Sequence, residues 1–272
     1  MIDFIDTHAH VYEPEFDDDR NEVMTRAAEA GVRRMLLPAI DGESYERMFG
    51  LCREYPDRCF PMMGLHPTSV NDNPRWREDL EVVADFLSDA DRRFYGVGEI
   101  GLDYYWSTDF RAEQREAFAR QVEMSLQYGL PIAVHVRDAW DDTVEIIQSY
   151  AGRGLRGVFH AFSGTAEHLR ELRRCGDFVF GVGGTVTFKK SSIAETAASE
   201  MELSEIVLET DCPYLTPAPY RGKRNEPAYI PYINNKIAEL KGLSPEETAA
   251  AATANAERVF FNNTVEDYFL QK

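Results

Sequence analysis

Short runs of aliphatic and β-branched residues recur along the chain, and longer polar, amphipathic stretches lie between them. This alternation predicts strands that are each followed by a helix. Eight runs are predicted as strands: residues 2–6, 34–38, 60–64, 95–99, 132–136, 157–162, 178–182 and 206–209. Five stretches are predicted as helices: residues 17–30, 111–128, 139–150, 166–174 and 245–261.

Two of the predicted helices have clear boundary signals. Gly129 and Pro131 follow the longest amphipathic stretch, and this pair predicts that helix 111–128 ends there. Ser244, Pro245 and Glu247 supply an N-cap, a proline in the first helical position and a capping-box glutamate. They predict that the last helix begins at Pro245.

Eight strands in 272 residues give about 34 residues per strand, which is the size of one βα unit. We therefore predict an α/β fold, a single-domain (β/α)8 TIM barrel over residues 1–272. The alternative is an open, doubly wound sheet, which often carries a glycine-rich phosphate loop after its first strand. The first predicted strand leads into Asp6-Thr7-His8-Ala9-His10, which contains no glycine, and this favours the barrel.

The charge balance restricts how the chain can hold nucleic acid. With 29 basic and 47 acidic residues, its formal charge is −18. Proteins that grip long nucleic acid by its phosphates usually have a basic surface, so this composition argues against such a mode. A polyanionic substrate would have to be drawn by a local positive site, such as bound cations and a few Arg or Lys side chains.

Other features of composition concern location. The sequence has no apolar run of roughly 18 residues, and its start lacks the basic and apolar segments of a secretory signal. The four cysteines form neither a CxxC pair nor a disulfide-rich scaffold. We expect a cytoplasmic monomer with no membrane partner.

The histidines are concentrated where strands are predicted to end. Five of the six lie at the end of a predicted strand or just past it: His8, His10, His66, His135 and His160. The sixth, His168, falls on a predicted helix. In a TIM barrel the carboxyl ends of the strands converge on one rim, where the active site is found, so these five are candidates for a shared site.

His8 and His10 are two residues apart, so in an extended chain their side chains share a face and can reach one cation. Asp6 precedes them and is predicted to orient a ligand histidine. The alternative for the pair is two ordinary polar loop residues. His135 and His160 end two successive strands; either alone would more often be a satisfied core histidine, but together they favour metal binding.

Two carboxylates accompany these histidines. Glu99 is predicted to end strand four between glycines, and burying a carboxylate there is costly unless it is paired or binds metal. Asp211 is predicted to end strand eight, before Pro213, where it could bind metal, act as a general base, or do both. The alternatives are a salt-bridged glutamate and a turn-forming aspartate.

Together these residues give four histidines, one glutamate and one aspartate on strands one, four, five, six and eight. Six nitrogen and oxygen donors exceed the three protein ligands of a single catalytic zinc site. They suit two divalent cations that share a carboxylate. Zn²⁺, Mn²⁺ and Mg²⁺ are all compatible with this donor set, and the histidines favour Zn²⁺ or Mn²⁺.

Seven motifs, in order, resemble those of the TatD family of metal-dependent deoxyribonucleases, which are TIM-barrel hydrolases. They are DTHAH (6–10), GLHP (64–67), GEIGLDY (98–104), HVR (135–137), HAFSG (160–164), TDCPYL (210–215) and RGKRNEP (221–227). The resemblance continues into the last helix and so covers nearly the whole chain. Related amidohydrolases often use a carboxylated lysine as the metal bridge, whereas Glu99 points to TatD.

The resemblance implies a role for each of the six donors. His8, His10 and Asp211 would hold one metal ion, His135 and His160 would hold the other, and Glu99 would bridge the two. Asp211 would also accept the proton of the attacking water, so Asp211 and Glu99 are the expected catalytic residues.

Four further residues are expected to bind substrate. In the resemblance His66 faces a phosphate oxygen of the substrate; the alternative is a histidine that fixes its loop. Arg221 and Arg224, with Lys223, form the densest basic cluster of the chain and could meet a phosphate, or could be a solvated loop. Tyr104 opens a run of three aromatic residues, with Tyr105 and Trp106, that could stack on nucleobases or cap the barrel. Glu226 could tether Arg224 or bind a sugar hydroxyl or an amine.

The expected function is hydrolysis of phosphodiester bonds from the 3′ end of single-stranded DNA, with RNA also possible as the nucleic acid partner. One alternative is an amide or ester hydrolase on the same two-metal scaffold, such as an aminoacyl-tRNA deacylase or a small-molecule amidohydrolase. A second is a non-catalytic binding protein that keeps the barrel.

Overall fold

The computed structural model describes residues 3–261. Eight strands lie in that range: β1 Phe4–Asp6, β2 Val32–Pro38, β3 Cys59–Met62, β4 Val97–Asp103, β5 Ile132–Arg137, β6 Arg156–Phe159, β7 Asp177–Val182 and β8 Ile206–Leu208. The same range holds nine α-helices: α1 Arg20–Glu29, α2 Tyr45–Glu54, α3 Trp76–Ser88, α4 Arg111–Tyr128, α5 Trp140–Ser149, α6 Ala166–Leu172, α7 Ser192–Ser199, α8 Ile230–Lys241 and α9 Pro245–Ala256. None of the described helices has the length and apolar character needed to cross a membrane.

The strands form a ring in chain order. All pairs are parallel, in two sheets with the orders β1-β2-β3 and β4-β5-β6-β7-β8. Backbone hydrogen bonds join the sheets at one seam, where the amide of Gly98 donates to the carbonyl of Met63 at 3.0 Å. At the other seam the amide of Thr7 donates to Leu208 at 3.0 Å and that of His10 to Cys212 at 2.9 Å. The predicted TIM barrel is confirmed.

The interior of the ring is filled by one apolar side chain from each of seven strands: Ile5, Leu36, Met62, Ala133, Val158, Val179 and Val207. On β4 the corresponding position is Gly98, where an added Cβ would lie 2.7 Å from the Cβ of Ala133, so only a glycine fits. A π-helical turn, Glu257–Phe261, follows α9, and its Val259 and Phe260 pack against this interior cluster.

Most predicted elements match the observed ones closely. Helix α4 has the predicted bounds and ends at Gly129, which adopts a left-handed conformation (φ 62°). Helix α9 begins at Pro245 with the predicted capping box, in which Ser244 accepts from the amide of Glu247. Residue 2 of the first predicted strand lies outside the described residues.

Two kinds of prediction were wrong. The fourth strand does not end at Glu99: β4 continues to Asp103, so Glu99 is the third of seven residues. Helices α2, α3, α7 and α8 were not predicted. The residues before α2, α3 and α8 make no side-chain capping hydrogen bond. Helix α8 does carry a proline in its first turn and ends at the left-handed Gly242, signals that could have found it.

Candidate active site

All six predicted metal ligands meet at the carboxyl end of the barrel. Five of them line a cavity of about 640 Å³: His10, Glu99, His135, His160 and Asp211. The sixth, His8, is fully buried beneath them. The ring of strands places them there, because parallel strands present their carboxyl ends on the same side.

The first donor group comes from the two ends of the chain. The Nε2 atoms of His8 and His10 are 3.1 Å apart. The carboxylate oxygen Oδ1 of Asp211 lies 3.9 Å from the first and 3.5 Å from the second. Asp211 adopts a left-handed backbone conformation (φ 54°), and its amide donates to the carbonyl of His8 at 2.8 Å. This geometry turns the carboxylate toward the two imidazoles.

Glu99 connects this group to a second one. Its Oε2 lies 3.1 Å from Nε2 of His8 and 3.5 Å from Nε2 of His10. Its Oε1 lies 2.8 Å from Nε2 of His160 and 3.0 Å from Nδ1 of His135. Each carboxylate oxygen therefore faces a different pair of histidines, which is the arrangement a bridging ligand needs.

His66 lies closer to the donors than a purely substrate-binding residue requires. Its Nε2 is 3.5 Å from Oε1 of Glu99, and with Glu99 and His135 it forms a third group able to hold a metal ion. Its Nδ1 accepts from the amide of Thr68 at 3.2 Å, so the ring also caps the short 3₁₀ turn Pro67–Val70. The ring of His66 therefore does both: it faces the cavity with Nε2 and fixes its own loop with Nδ1.

Hydrogen bonds to the outer ring nitrogens set the tautomers of two histidines. The hydroxyl of Tyr12 donates to the carbonyl of Pro38 at 2.5 Å, so its oxygen must accept from Nδ1 of His10, 2.8 Å away. The lone pair of His10 is therefore on Nε2, which faces Asp211 and Glu99. In the same way Nε2 of His135 donates to Oδ2 of Asp103 at 2.9 Å, which leaves the lone pair on Nδ1, facing Glu99.

Sequence reasoning missed Asp103, Tyr12 and Glu209 as supports of the site. Asp103 lies four residues after Glu99 on the same strand, and residues at that spacing share a face of a strand, which is a signal that could have found it. Glu209 is fully buried and lies 3.7 Å from Nδ1 of His160. Asp6 was expected to orient a histidine ring. It instead accepts from the backbone amides of His8 at 3.2 Å and Thr210 at 2.9 Å.

The electrostatics of the cluster follow from its burial. Burial opposes ionisation of Glu99, but the surrounding imidazoles, above all His160 and His8, hold its pKa well below the usual range. Burial lowers the pKa of His8 and of His66. Burial also opposes a charge on His160, yet Glu99 and Glu209 raise its pKa well above the ordinary value. The carboxylates thus draw positive charge into the cluster.

These residues fit a site for divalent cations. Imidazole nitrogens and carboxylate oxygens converge to within 2.8–3.9 Å. Within residues 3–261, no lysine or arginine is paired with Glu99 or Asp211, so no side chain of fixed charge neutralises them. A mixed nitrogen and oxygen set of this kind is typical of Zn²⁺ or Mn²⁺.

Comparison with known proteins agrees with this site. The sequence model of the family described as TatD related DNase matches residues 5–261. The chain belongs to this family. It is 37% identical over 255 residues to the uncharacterized metal-dependent hydrolase YabD of Bacillus subtilis, covering 94% of this chain and 98% of that protein.

Two further relatives bear on fold and activity. The 3′-5′ ssDNA/RNA exonuclease TatD of Cronobacter sakazakii is 30% identical over 263 residues, covering 95% of this chain and 98% of that protein. The crystal structure of YjjV, a TatD homologue of Escherichia coli, superposes with a TM-score of 0.87 at 29% identity, covering 96% and 99% of the two chains. This TatD-family chain is therefore a metal-dependent hydrolase.

Unlike the six predicted metal ligands, the four residues expected to bind substrate do not all lie at the cavity. His66 lines the cavity, whereas Tyr104, Arg221 and Arg224 are not among its lining residues. The hydroxyl of Tyr104 donates to Asp142 at 2.7 Å, and its ring is 8% exposed. Trp106, two residues later, lines the cavity instead.

The basic loop after β8 is largely engaged elsewhere. Arg224 pairs with Asp19 at 2.7 Å and lies over the ring of Phe16, and Arg221 lies over the ring of Phe188. Glu226 was expected to tether Arg224 or bind a ligand. Its carboxylate is instead held by Arg26, through bonds of 2.8 Å and 2.6 Å.

Proposed function

We propose that this TatD-family hydrolase is a metal-dependent exonuclease that removes nucleotides from the 3′ end of single-stranded DNA. The observation that carries the proposal is the position of Glu99. Its two oxygens face two separate donor groups inside one cavity, as expected for two cations that share a carboxylate. Two-metal sites of this kind are widely used for phosphodiester hydrolysis.

In this proposal His8, His10 and Asp211 would hold one cation, His135 and His160 the other, with Glu99 between them. When bound, such cations lower the pKa of water and stabilise negative charge on a phosphate. The carboxylate of Asp211 accepts the proton of the attacking water. His66, whose Nε2 faces the cavity, donates a hydrogen bond to a phosphate oxygen of the substrate.

The shape and charge of the molecule favour a strand end as substrate. A cavity of about 640 Å³ has the size that encloses a small molecule, so it suits a terminal nucleotide better than the interior of a duplex. The formal charge of −18 opposes tracking along DNA. The exonuclease named among the relatives supports the same choice.

The test is digestion of a single-stranded DNA oligonucleotide labelled at its 5′ end, with Mn²⁺ or Mg²⁺. We expect a ladder that shortens stepwise and that is abolished by EDTA and by Asp211→Asn. His168→Gln is a suitable control, because His168 lies on α6 and caps that helix away from the donor groups. This control variant should keep its metal content and its activity.

The main alternative is a hydrolase of amide or ester bonds, because an activated water can also attack a carbonyl. An intact oligonucleotide in the presence of bound metal would contradict the exonuclease, and a deacylation assay on charged transfer RNA would then test this alternative. A non-catalytic binding protein would be indicated if wild type and Asp211→Asn bound nucleic acid equally and neither showed turnover in either assay.

A further inference from the structure

An exposed cluster of aromatic and basic side chains stands at the mouth of the cavity. We call Tyr105, Trp106 and Arg137 the mouth cluster. The guanidinium carbon of Arg137 lies 3.5 Å from the ring centroid of Tyr105 and 5.6 Å from that of Trp106. The two rings are 4.9 Å apart. Trp106 and Arg137 line the same cavity as the proposed metal ligands.

The fold does not account for the exposure of this cluster. Trp106 is 68% exposed and Tyr105 53%, whereas Trp76 in the core is 3% exposed. Within residues 3–261 Arg137 forms no ion pair, although nearby Arg111 is bound to Asp142 at 3.0 Å. Large exposed aromatics around a guanidinium that has no acidic partner in residues 3–261, on a strongly acidic protein, indicate a surface that receives a ligand.

The opposite side of the mouth is also aromatic. Tyr214, which follows β8, is 51% exposed and lines the cavity. In a ring of eight strands in chain order, β4 and β8 lie across the barrel from each other. A ligand entering the cavity therefore passes between aromatic residues on both sides, with the cation of Arg137 on one of them.

We propose that the mouth cluster is a nucleotide subsite for the end of a single strand. Trp106 stacks on the base next to the scissile phosphodiester, and the guanidinium of Arg137 pairs with a backbone phosphate. Stacking tolerates any base, so this subsite recognises unpaired strand ends without reading their sequence. The proposal rests on the exonuclease function and names how that site selects its substrate.

Tryptophan fluorescence tests the stacking without relying on turnover. The chain has three tryptophans, and Trp106 is far more exposed than Trp76, while Trp140 is half-buried. We expect a phosphorothioate-linked thymidine pentamer, which resists hydrolysis, to quench the fluorescence of the wild-type protein. Trp106→Phe should abolish the quenching, and the control Tyr232→Ala, which removes an exposed aromatic outside the cavity, should leave it unchanged.

Binding and turnover give a second measure. Trp106→Ala should weaken pentamer binding by about 5- to 150-fold, the range for loss of one base–aromatic stack, and Trp106→Phe should restore most of it. With an oligonucleotide whose two 3′-terminal nucleotides are abasic, wild type and Trp106→Ala should be cleaved at nearly the same rate. Arg137→Gln should weaken the binding of both oligonucleotides by a similar factor, because it removes a contact with a backbone phosphate.

The outcomes separate this proposal from the exonuclease itself. Absence of quenching in the wild type overturns the subsite, whether or not the oligonucleotide is cleaved. If Trp106→Ala lowers the cleavage rate equally for ordinary and abasic ends, the stacking is overturned and the exonuclease function is not affected. Quenching and tight binding without cleavage would keep the subsite as a nucleic acid site and overturn the exonuclease.

Discussion

The two ends of the barrel are built from the same eight strands and differ in almost every physical property. At the carboxyl end, imidazoles and carboxylates from five strands lie side by side, with neighbouring nitrogen and oxygen atoms 2.8–3.9 Å apart. At the amino end, Phe261 packs on Phe60 and Tyr95, with ring centroids 5.1 Å and 5.3 Å apart. Between the two ends lies the layer of apolar side chains that fills the ring.

The difference shows how one fold separates stability from chemistry. The apolar layer and the Glu257–Phe261 turn supply hydrophobic packing beneath the polar cluster. The polar end contributes less packing energy. Burying its carboxylates costs desolvation free energy, which a bound cation or a protonated imidazole beside them offsets. Changes at the lower end should therefore alter the free energy of unfolding, and changes at the upper end should alter metal binding.

The largest expected effect is at the bridge. Glu99→Ala removes the one carboxylate that faces both donor groups, so metal content should fall at both, and turnover should fall by more than the roughly 100-fold typical of outer-shell partners. Metal content measured by mass spectrometry after gel filtration checks this. Glu226→Gln is the matched control, a buried glutamate held by Arg26 outside the site. Full metal content in Glu99→Ala would sink the two-metal arrangement.

The lower end gives the opposite result. Phe260 is 5% exposed and packs on the interior layer, so Phe260→Ala should reduce the free energy of unfolding by about 3–5 kcal/mol. Urea denaturation of the metal-free protein measures the loss. The folded variant should bind metal as the wild type does. A large drop in metal affinity of the folded protein would mean that the two ends are coupled.

A smaller effect is expected at a residue that acts through a ligand. Asp103→Asn removes the anionic acceptor that holds Nε2 of His135, so metal affinity should fall by about 10- to 100-fold while the fold is kept. Competition against a chromophoric chelator gives the affinity. Asp142→Asn, an aspartate that contacts Tyr104 outside the cavity, should leave affinity unchanged. Equal affinities of wild type and Asp103→Asn would remove Asp103 from the site.

The smallest effect concerns pH. Burial opposes ionisation of Asp142, but bonds from Tyr104, Arg111 and Arg115 lower its pKa below the ordinary 3.8. Its stabilising contribution is therefore present above pH 4 and is lost as pH falls through the lowered pKa. Asp142→Asn should cost at most about 1 kcal/mol near neutral pH, and the cost should shrink below pH 4. A cost that stays constant with pH in urea titrations would contradict an ionic origin.

The strands and the histidines at their ends could be predicted because the signals are local. The regular alternation of strand and helix patterns predicts the barrel, and the barrel places His8, His10, His135 and His160 on one rim. The position of Glu99 was misjudged for a reason that is not local. Strand β4 continues through Gly101, where an added Cβ would lie 2.0 Å from the carbonyl oxygen of His135, so this glycine permits the close approach of β5.

The basic residues show the same limit more strongly. Arg224 was expected to face substrate, yet its partner Asp19 lies 205 residues earlier in the chain. Glu226 finds Arg26 at a separation of 200 residues. Ion pairs between residues so far apart in the chain leave no signal in the local sequence pattern. Arg137 was not predicted as a substrate residue. Its distinguishing property is that it has no acidic partner in residues 3–261, and this can be seen only in the folded structure.

The seam between β1 and β8 has a consequence for how the protein is made. His8 and Asp211 belong to one donor group, but the ribosome adds about 200 residues between them. At roughly 5–20 residues per second, the first two histidines wait about 10–40 s for their carboxylate partner. Until β8 has emerged and the ring has closed, a nascent chain can offer a metal ion only an incomplete set of donors. Metal-dependent hydrolysis at the complete site is thereby withheld from every unfinished copy of the chain.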